Sequence, residues 1–181
     1  MSWLRRDKMP DVLLAAMAPE ERILLSVRDT EGVLLAATRL ALHLVAGEQH
    51  TRWGWELVSK ATLSAGTLGL VVAAPVPEQV DGLQVTMDGP ARSFRLERPH
   101  RLTDVVHQRV RRSVAASRYL ERAGGGGWVV LRRVPGRDGL QRQLRLDAGV
   151  SWPDPELSAA ATRLAAELSG RPEALPGGEG H

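Results

Sequence analysis

The chain has no cysteine, a single phenylalanine, a single tyrosine, and lysine only at positions 8 and 60. Without cysteine there can be no disulfide, no thiolate metal site and no cysteine nucleophile. No apolar run approaches the ~18 residues that a membrane-spanning helix needs. The opening stretch, Met1-Ser-Trp-Leu-Arg-Arg-Asp-Lys8, lacks the apolar centre of a secretory signal, so a cytoplasmic location is expected. The nucleophile elbow G-x-S-x-G, the zinc motif H-E-x-x-H, the P-loop and a G-x-G-x-x-G after a strand are all missing. Ser64-Ala-Gly66 and Thr67-Leu-Gly69 are turn-like, with no lysine where a phosphate loop would place one. The histidines His43, His50, His100, His107 and His181 show no ligand-like spacing, so neither a metal site nor a cofactor is expected. The adjacent acids Glu20 and Glu21 precede a strand-like run and read as solvated. Enzymatic activity is not expected.

What remains is an ordinary globular composition. At 181 residues, 43% apolar and 25% charged, the chain fits one domain with an elaborated end. A chain of this size buries roughly 70% of its unfolded surface. The net charge of +3 hides an uneven distribution. Residues 92–145 carry fourteen Arg against four acids, a local net of +10, whereas residues 1–91 net −3 and residues 146–181 net −4. Such a block fits either an Arg-biased composition or a basic face aimed at an anionic partner.

The order of elements follows from periodicity. Pro10-Asp11 suits the first turn of a short helix that Pro19 closes. Short β-like runs then follow: 22–28, 33–38, 40–45, a bent fourth run over 52–58 and 61–64, and 68–73. Leu83–Met87 and Arg92–Glu97 flank Asp88-Gly-Pro-Ala and predict a hairpin. Thr103 and Asp104 open a helix predicted to run to about Arg122, with Leu102, Val106, Val110, Val114, Ser117 and Leu120 as its apolar stripe. Gly124–Gly127 is read as its stop. Trp128–Val134 and Leu140–Leu146 predict a second hairpin, and Asp154-Pro155 opens a last helix to about Ser169.

Val33-Leu-Leu-Ala-Ala-Thr-Arg-Leu-Ala-Leu-His-Leu44 and Arg52-Trp-Gly-Trp-Glu-Leu57, followed by Leu68–Val72, resemble strands of the pleckstrin-homology-like superfold, particularly its bacterial and GRAM-like members. The whole arrangement, with its Arg132-Arg133-Val-Pro-Gly136 turn, is similar to uncharacterised proteins of high-GC bacteria. The resemblance implies a mainly β fold with capping helices: a bent antiparallel sandwich or barrel plugged by an amphipathic helix. The expected organisation is an N-terminal segment with a short helix at 1–19, a pleckstrin-homology-like domain at 20–122, a packed hairpin-and-helix extension at 123–169, and a disordered tail at 170–181. The inositide pocket that some members carry is not expected, because the loop between the first two strands is the acidic Asp29-Thr-Glu-Gly32.

Function therefore reads as recognition without turnover, a binding or scaffolding module for a protein partner. The alternatives are an anionic-ligand module for a lipid headgroup or nucleic acid, and a small enzyme whose site converges only in space. On a helical wheel Arg111, Arg118 and Arg122 fall together, with Arg109 and Arg112 to one side and Arg132 and Arg133 on the following hairpin. Guanidinium groups so placed can take phosphates or carboxylates in bidentate fashion, or simply form a solvated face. Trp53 and Trp55, two residues apart, share a strand face and read as core. Trp128 and Trp152 read as anchors of the extension, and Trp3 as a contact to a partner chain.

Overall fold

The computed structural model describes residues 8–97 and 100–170. The elements are α1 (Asp11–Ala16), β1 (Ile23–Arg28), β2 (Leu34–Thr38), β3 (Ala41–Ala46), β4 (Gln49–Gly54), β5 (Val58–Ser64), β6 (Thr67–Pro75), β7 (Gln84–Asp88), β8 (Arg92–Arg95), α2 (His100–Ser113), β9 (Val114–Leu120), β10 (Gly127–Arg133), β11 (Leu140–Leu146) and α3 (Pro155–Ser169). The fold is mainly β, with a curled half-barrel sheet and a C-terminal helix. Among the described residues no helix is long and apolar enough to cross a membrane. Trp3 and the predicted tail beyond Gly170 lie outside the described residues.

Strands β1 to β4 form an antiparallel meander. Every residue of β2 is buried, because Leu35 and Ala37 face one core while Leu34 and Ala36 face another. The first core collects Leu35, Leu42, Leu44, Trp53, Trp55, Val58, Leu68, Leu70 and Phe94. Leu102 and Val106 of α2 sit in it, at 2% and 0% exposure, so the helix seats its stripe against the curled strands as its spacing predicts. Val110 packs at the margin, half-buried. On the opposite face of the meander α1 inserts Leu13 against Leu34, Ala36 and Val45.

The second core lies between the larger sheet and α3. Leu83, Val85, Val129, Leu131, Leu144 and Leu146 meet Leu157, Ala161, Leu164, Ala165 and Leu168. Asp154 caps α3, its carboxylate accepting from the Glu156 and Leu157 amides at 2.9 and 3.0 Å, with Pro155 at the first position.

Three local expectations need correction. The helix that should run to Arg122 stops at Ser113, whose hydroxyl donates to the Val110 carbonyl at 2.7 Å, and residues 114–120 are strand β9 instead. Pairing with β10 from Val114↔Arg132 to Leu120↔Gly127 outweighs any helix preference of a seven-residue segment. The glycine run is therefore a strand-to-strand turn: Gly125 has a positive φ, and a Cβ on Gly126 would meet the Leu120 carbonyl oxygen at 2.1 Å. Finally, β7 and β8 do not pair with each other. Both pair with the long β6, β7 at Ala73–Pro75 and β8 at Thr67–Leu70, while β7 runs parallel to β11. Pro90 in the linking segment fits a strand switch as well as a tight turn.

Candidate functional site

Two polar constellations stand out. The first is a cavity of about 160 Å³ where three connections meet. The β2–β3 turn contributes Arg39, the last turns of α2 contribute Arg109, Arg112 and Ser113, and the end of β10 contributes Arg133, Val134 and Pro135. Trp55, 1% exposed, completes the wall.

Each side chain has a local reason for its place. Thr38 shapes the turn that carries Arg39, because its hydroxyl accepts from the Leu40 and Ala41 amides at 3.1 and 3.0 Å. The Thr38 carbonyl accepts from the Trp55 indole at 3.2 Å, which fixes the aromatic wall relative to that turn. Arg109 and Arg112 lie in the last turns of α2, three residues apart and so on one side of it. The helix dipole there tolerates cations. Behind Ser113 lies Arg132, 2% exposed, donating from Nη1 to the Ser113 hydroxyl at 2.6 Å, while its Nε makes no hydrogen bond.

The electrostatics are lopsided. Among the described residues no carboxylate lies within ion-pair distance of Arg39, Arg109 or Arg112. Burial, followed by the neighbouring Arg112 and Arg39 charges, lowers the Arg109 pKa. Burial and then Arg145 push Arg132 down to about 10, against the weaker pull of Glu56 and Asp88. Arg132 nonetheless remains cationic at neutral pH. A cluster of like charges with no counter-ion among the described residues is an anion site in chemical terms.

The second constellation was read from sequence as separate, unremarkable residues. Glu21, expected to be solvated, is buried at 9% exposure. Its Oε1 accepts from Thr38 Oγ1 and sits 3.0 Å from His43 Nε2, and His43 Nδ1 is 2.9 Å from His50 Nε2. Burial alone would raise the Glu21 pKa, yet hydrogen bonds from Thr38, His43 and the Ala18 amide outweigh it and hold the group below its ordinary value. Burial and the charges of His43 and Arg52 lower His50. The chain Glu21–His43–His50 crosses the α1 face of the meander, where Ala36 opposite His43 leaves room for the ring. Among the described residues no group of three or more acids and histidines is arranged to hold a metal.

The sequence-predicted arginines divide. Arg109, Arg112 and Arg133 line the cavity, with Arg132 directly behind it. Arg111 is exposed on α2 and does not line it. Arg118 and Arg122 do not share a helix face with Arg111, because Arg118 lies on β9 and Arg122 in the segment that follows it. Arg118 pairs with Glu167 at 3.5 Å and Arg122 with Asp154 at 3.6 Å, so both fasten α3 to the sheet. Arg39 was missed as a site residue, although it lies within the Thr-Arg-Leu stretch that carries the family resemblance.

No protein-family model matches the chain, and no curated protein matches its sequence. The site therefore has to be judged on its own chemistry. A wider groove of about 600 Å³ is lined by Gly82, Gln84, Leu140, Gln141, Arg137 and Arg142, but it is shallow and Arg142 is tied to the Ser169 hydroxyl at 3.1 Å. The smaller cavity has the convergent charge.

Proposed function

We propose that this protein is a non-catalytic binding module of pleckstrin-homology-like architecture that captures an anionic ligand in the Arg39–Arg109–Arg112 cavity. The observation that carries the reading is the convergence of three guanidinium groups with no carboxylate partner among the described residues, on a wall fixed by Trp55. Arg118, Arg122 and Arg145, by contrast, are each paired with a carboxylate. Holding three like charges together costs stability through repulsion, to which partial burial adds at Arg109, and a bound anion offsets that cost. The strand meander, the β5–β6–β8 strands and the seated α2 support the family reading.

The test is thermal unfolding in sodium chloride, sulfate, phosphate and citrate at matched ionic strength. At least one multivalent anion should raise Tm beyond chloride, since a ligand selective for the native state stabilises it by RT ln(1 + [L]/Kd). That gain should vanish in Arg109→Gln/Arg112→Gln. Equal Tm in all four salts refutes the reading. A second reading, a protein partner, draws on the exposed Tyr119 and Trp128, whose rings lie 5.3 Å apart beside the β9 edge.

A further inference from the structure

Resting on the anion-binding reading, we propose that the group seated in the Arg39–Arg109–Arg112 cavity is a phosphate monoester in its dianionic form.

Three features of the cavity select that chemistry. The first is its donor set. The Ser113 hydroxyl donates to Val110 and accepts from Arg132, so its proton is committed and the pocket offers guanidinium donors to acceptor oxygens. A monoester presents three terminal oxygens, one for each guanidinium without a carboxylate partner among the described residues, whereas a carboxylate presents two. The second is charge. Three cations facing one another are poorly matched by a monoanion, and Arg133 in the lining and Arg132 behind Ser113 add further positive charge. The third is size and lining. About 160 Å³ corresponds to roughly five water volumes, room for a phosphoryl group and the first atoms of its ester. Trp55, Val134 and Pro135 give that ester an apolar wall, which inorganic sulfate or phosphate would leave unused. The site is built from the β2–β3 turn, the end of α2 and the end of β10, away from the acidic β1–β2 loop, where Asp29 accepts from the Glu31 and Val33 amides.

Ionisation of the ligand gives the decisive readout. A phosphate monoester has its second pKa near 6, so at pH 5 only about a tenth of it is dianion and at pH 7.5 nearly all of it is. Isothermal titration of the full chain with phenyl phosphate should therefore show affinity about tenfold lower at pH 5 than at pH 7.5. Phenyl sulfate, a monoanion at both values, should bind more weakly than phenyl phosphate at pH 7.5 and with equal affinity at the two pH values. It also reports any contribution from the protein's own titratable groups around the site: Asp104 and His107 on α2, Glu56 after β4, Asp138 after β10, and the His43–His50 pair. Arg39→Gln should weaken phenyl phosphate at least tenfold without lowering Tm in chloride. If phenyl sulfate or citrate binds as tightly as phenyl phosphate at pH 7.5, or phenyl phosphate ignores pH, the phosphate proposal fails while anion binding survives. If no anion binds in an Arg109- and Arg112-dependent manner, both fail. Free phosphoserine and a pentapeptide containing it separate the two sources of the group: equal affinity assigns a small free ester, and a tenfold gain in the peptide assigns a phosphorylated protein.

Discussion

Arg132→Met should make the protein more stable. The guanidinium is 2% exposed, bonds only the Ser113 hydroxyl among the contacts resolved, and has its pKa pushed down to about 10 by burial and Arg145. A depression of that size from arginine's ordinary value, at 1.36 kcal/mol for each tenfold change in proton affinity, is about 3 kcal/mol disfavouring the folded, charged state. The sign follows from linkage: a cation whose folded pKa is depressed destabilises fully below that pKa, and the penalty fades only as pH rises beyond about 10. Methionine removes the charge and keeps an unbranched apolar stem in the same slot. Losing the Ser113 bond, while that hydroxyl keeps its donation to Val110, costs about 1–2 kcal/mol. The net expectation is a gain of about 1–2 kcal/mol, or several degrees in Tm for a domain of this size. Urea unfolding followed by tryptophan fluorescence, with an unchanged m-value, measures it. Arg132→Met should at the same time lower anion affinity, because one positive charge leaves the wall of the pocket. Destabilisation by more than about 1 kcal/mol would mean that the buried cation is compensated, and the reasoning about uncompensated arginines would be wrong.

Val106→Asp should prevent folding, since Val106 is fully buried against the first core and an unpaired buried carboxylate costs several kcal/mol out of a total of about 5–15. Far-UV circular dichroism shows the result directly, and a native spectrum would place α2 elsewhere. Acid sensitivity should come in two stages. His50, held below 6.5, lets the unfolded state take up protons first as pH falls through 6.5, and Glu21 does the same below 4.5. His50→Gln should therefore flatten the fall of Tm between pH 7 and 5 and leave the fall below pH 4.5 intact. An unchanged profile between pH 7 and 5 would remove His50 from that account.

Much of the architecture is legible because it rests on local signals. The strand runs from Arg22 to Val45, the Asp154-Pro155 helix start and the Leu102–Val106 stripe each announce themselves within a few residues. What the sequence hides depends on partners far along the chain. The segment 114–120 becomes a strand only because β10 lies beside it, and β7 and β8 part company because the nine-residue β6 is long enough to pair with both. The Glu21–His43–His50 chain is similarly silent: its members are 22 and 7 residues apart and come together only when β3 and β4 fold back on each other. Trp53 and Trp55 are buried as their spacing implies, and Trp152 anchors its segment by donating to the Glu78 carbonyl at 2.8 Å. Trp128, expected to be an anchor too, is 36% exposed, with the tilted Tyr119 ring 5.3 Å away and the Arg145 guanidinium over its face.

The arginines show why composition alone could not find the site. An Arg-biased chain places guanidinium groups wherever a polar side chain is tolerated, and some acquire their meaning from the acids that folding brings to them. Arg118 and Arg122 look like a binding stripe on a helical wheel, but the acids of α3 meet both once β9 forms. Arg145 finds Asp88 at 3.4 Å across the parallel β7–β11 pair. Arg39, Arg109 and Arg112 come from two segments far apart in sequence, and folding brings them to one cavity without a carboxylate among the described residues. A random scatter of positive charge gives no reason for Thr38 to fix both the turn bearing Arg39 and the indole of Trp55, yet one residue does both through its hydroxyl and its carbonyl. Thr38 also bonds Glu21, so the cavity wall and the histidine chain share a single hinge point. A Thr38→Val variant, which keeps the shape and the carbonyl but removes the hydroxyl, should therefore loosen anion binding while leaving Trp55 buried.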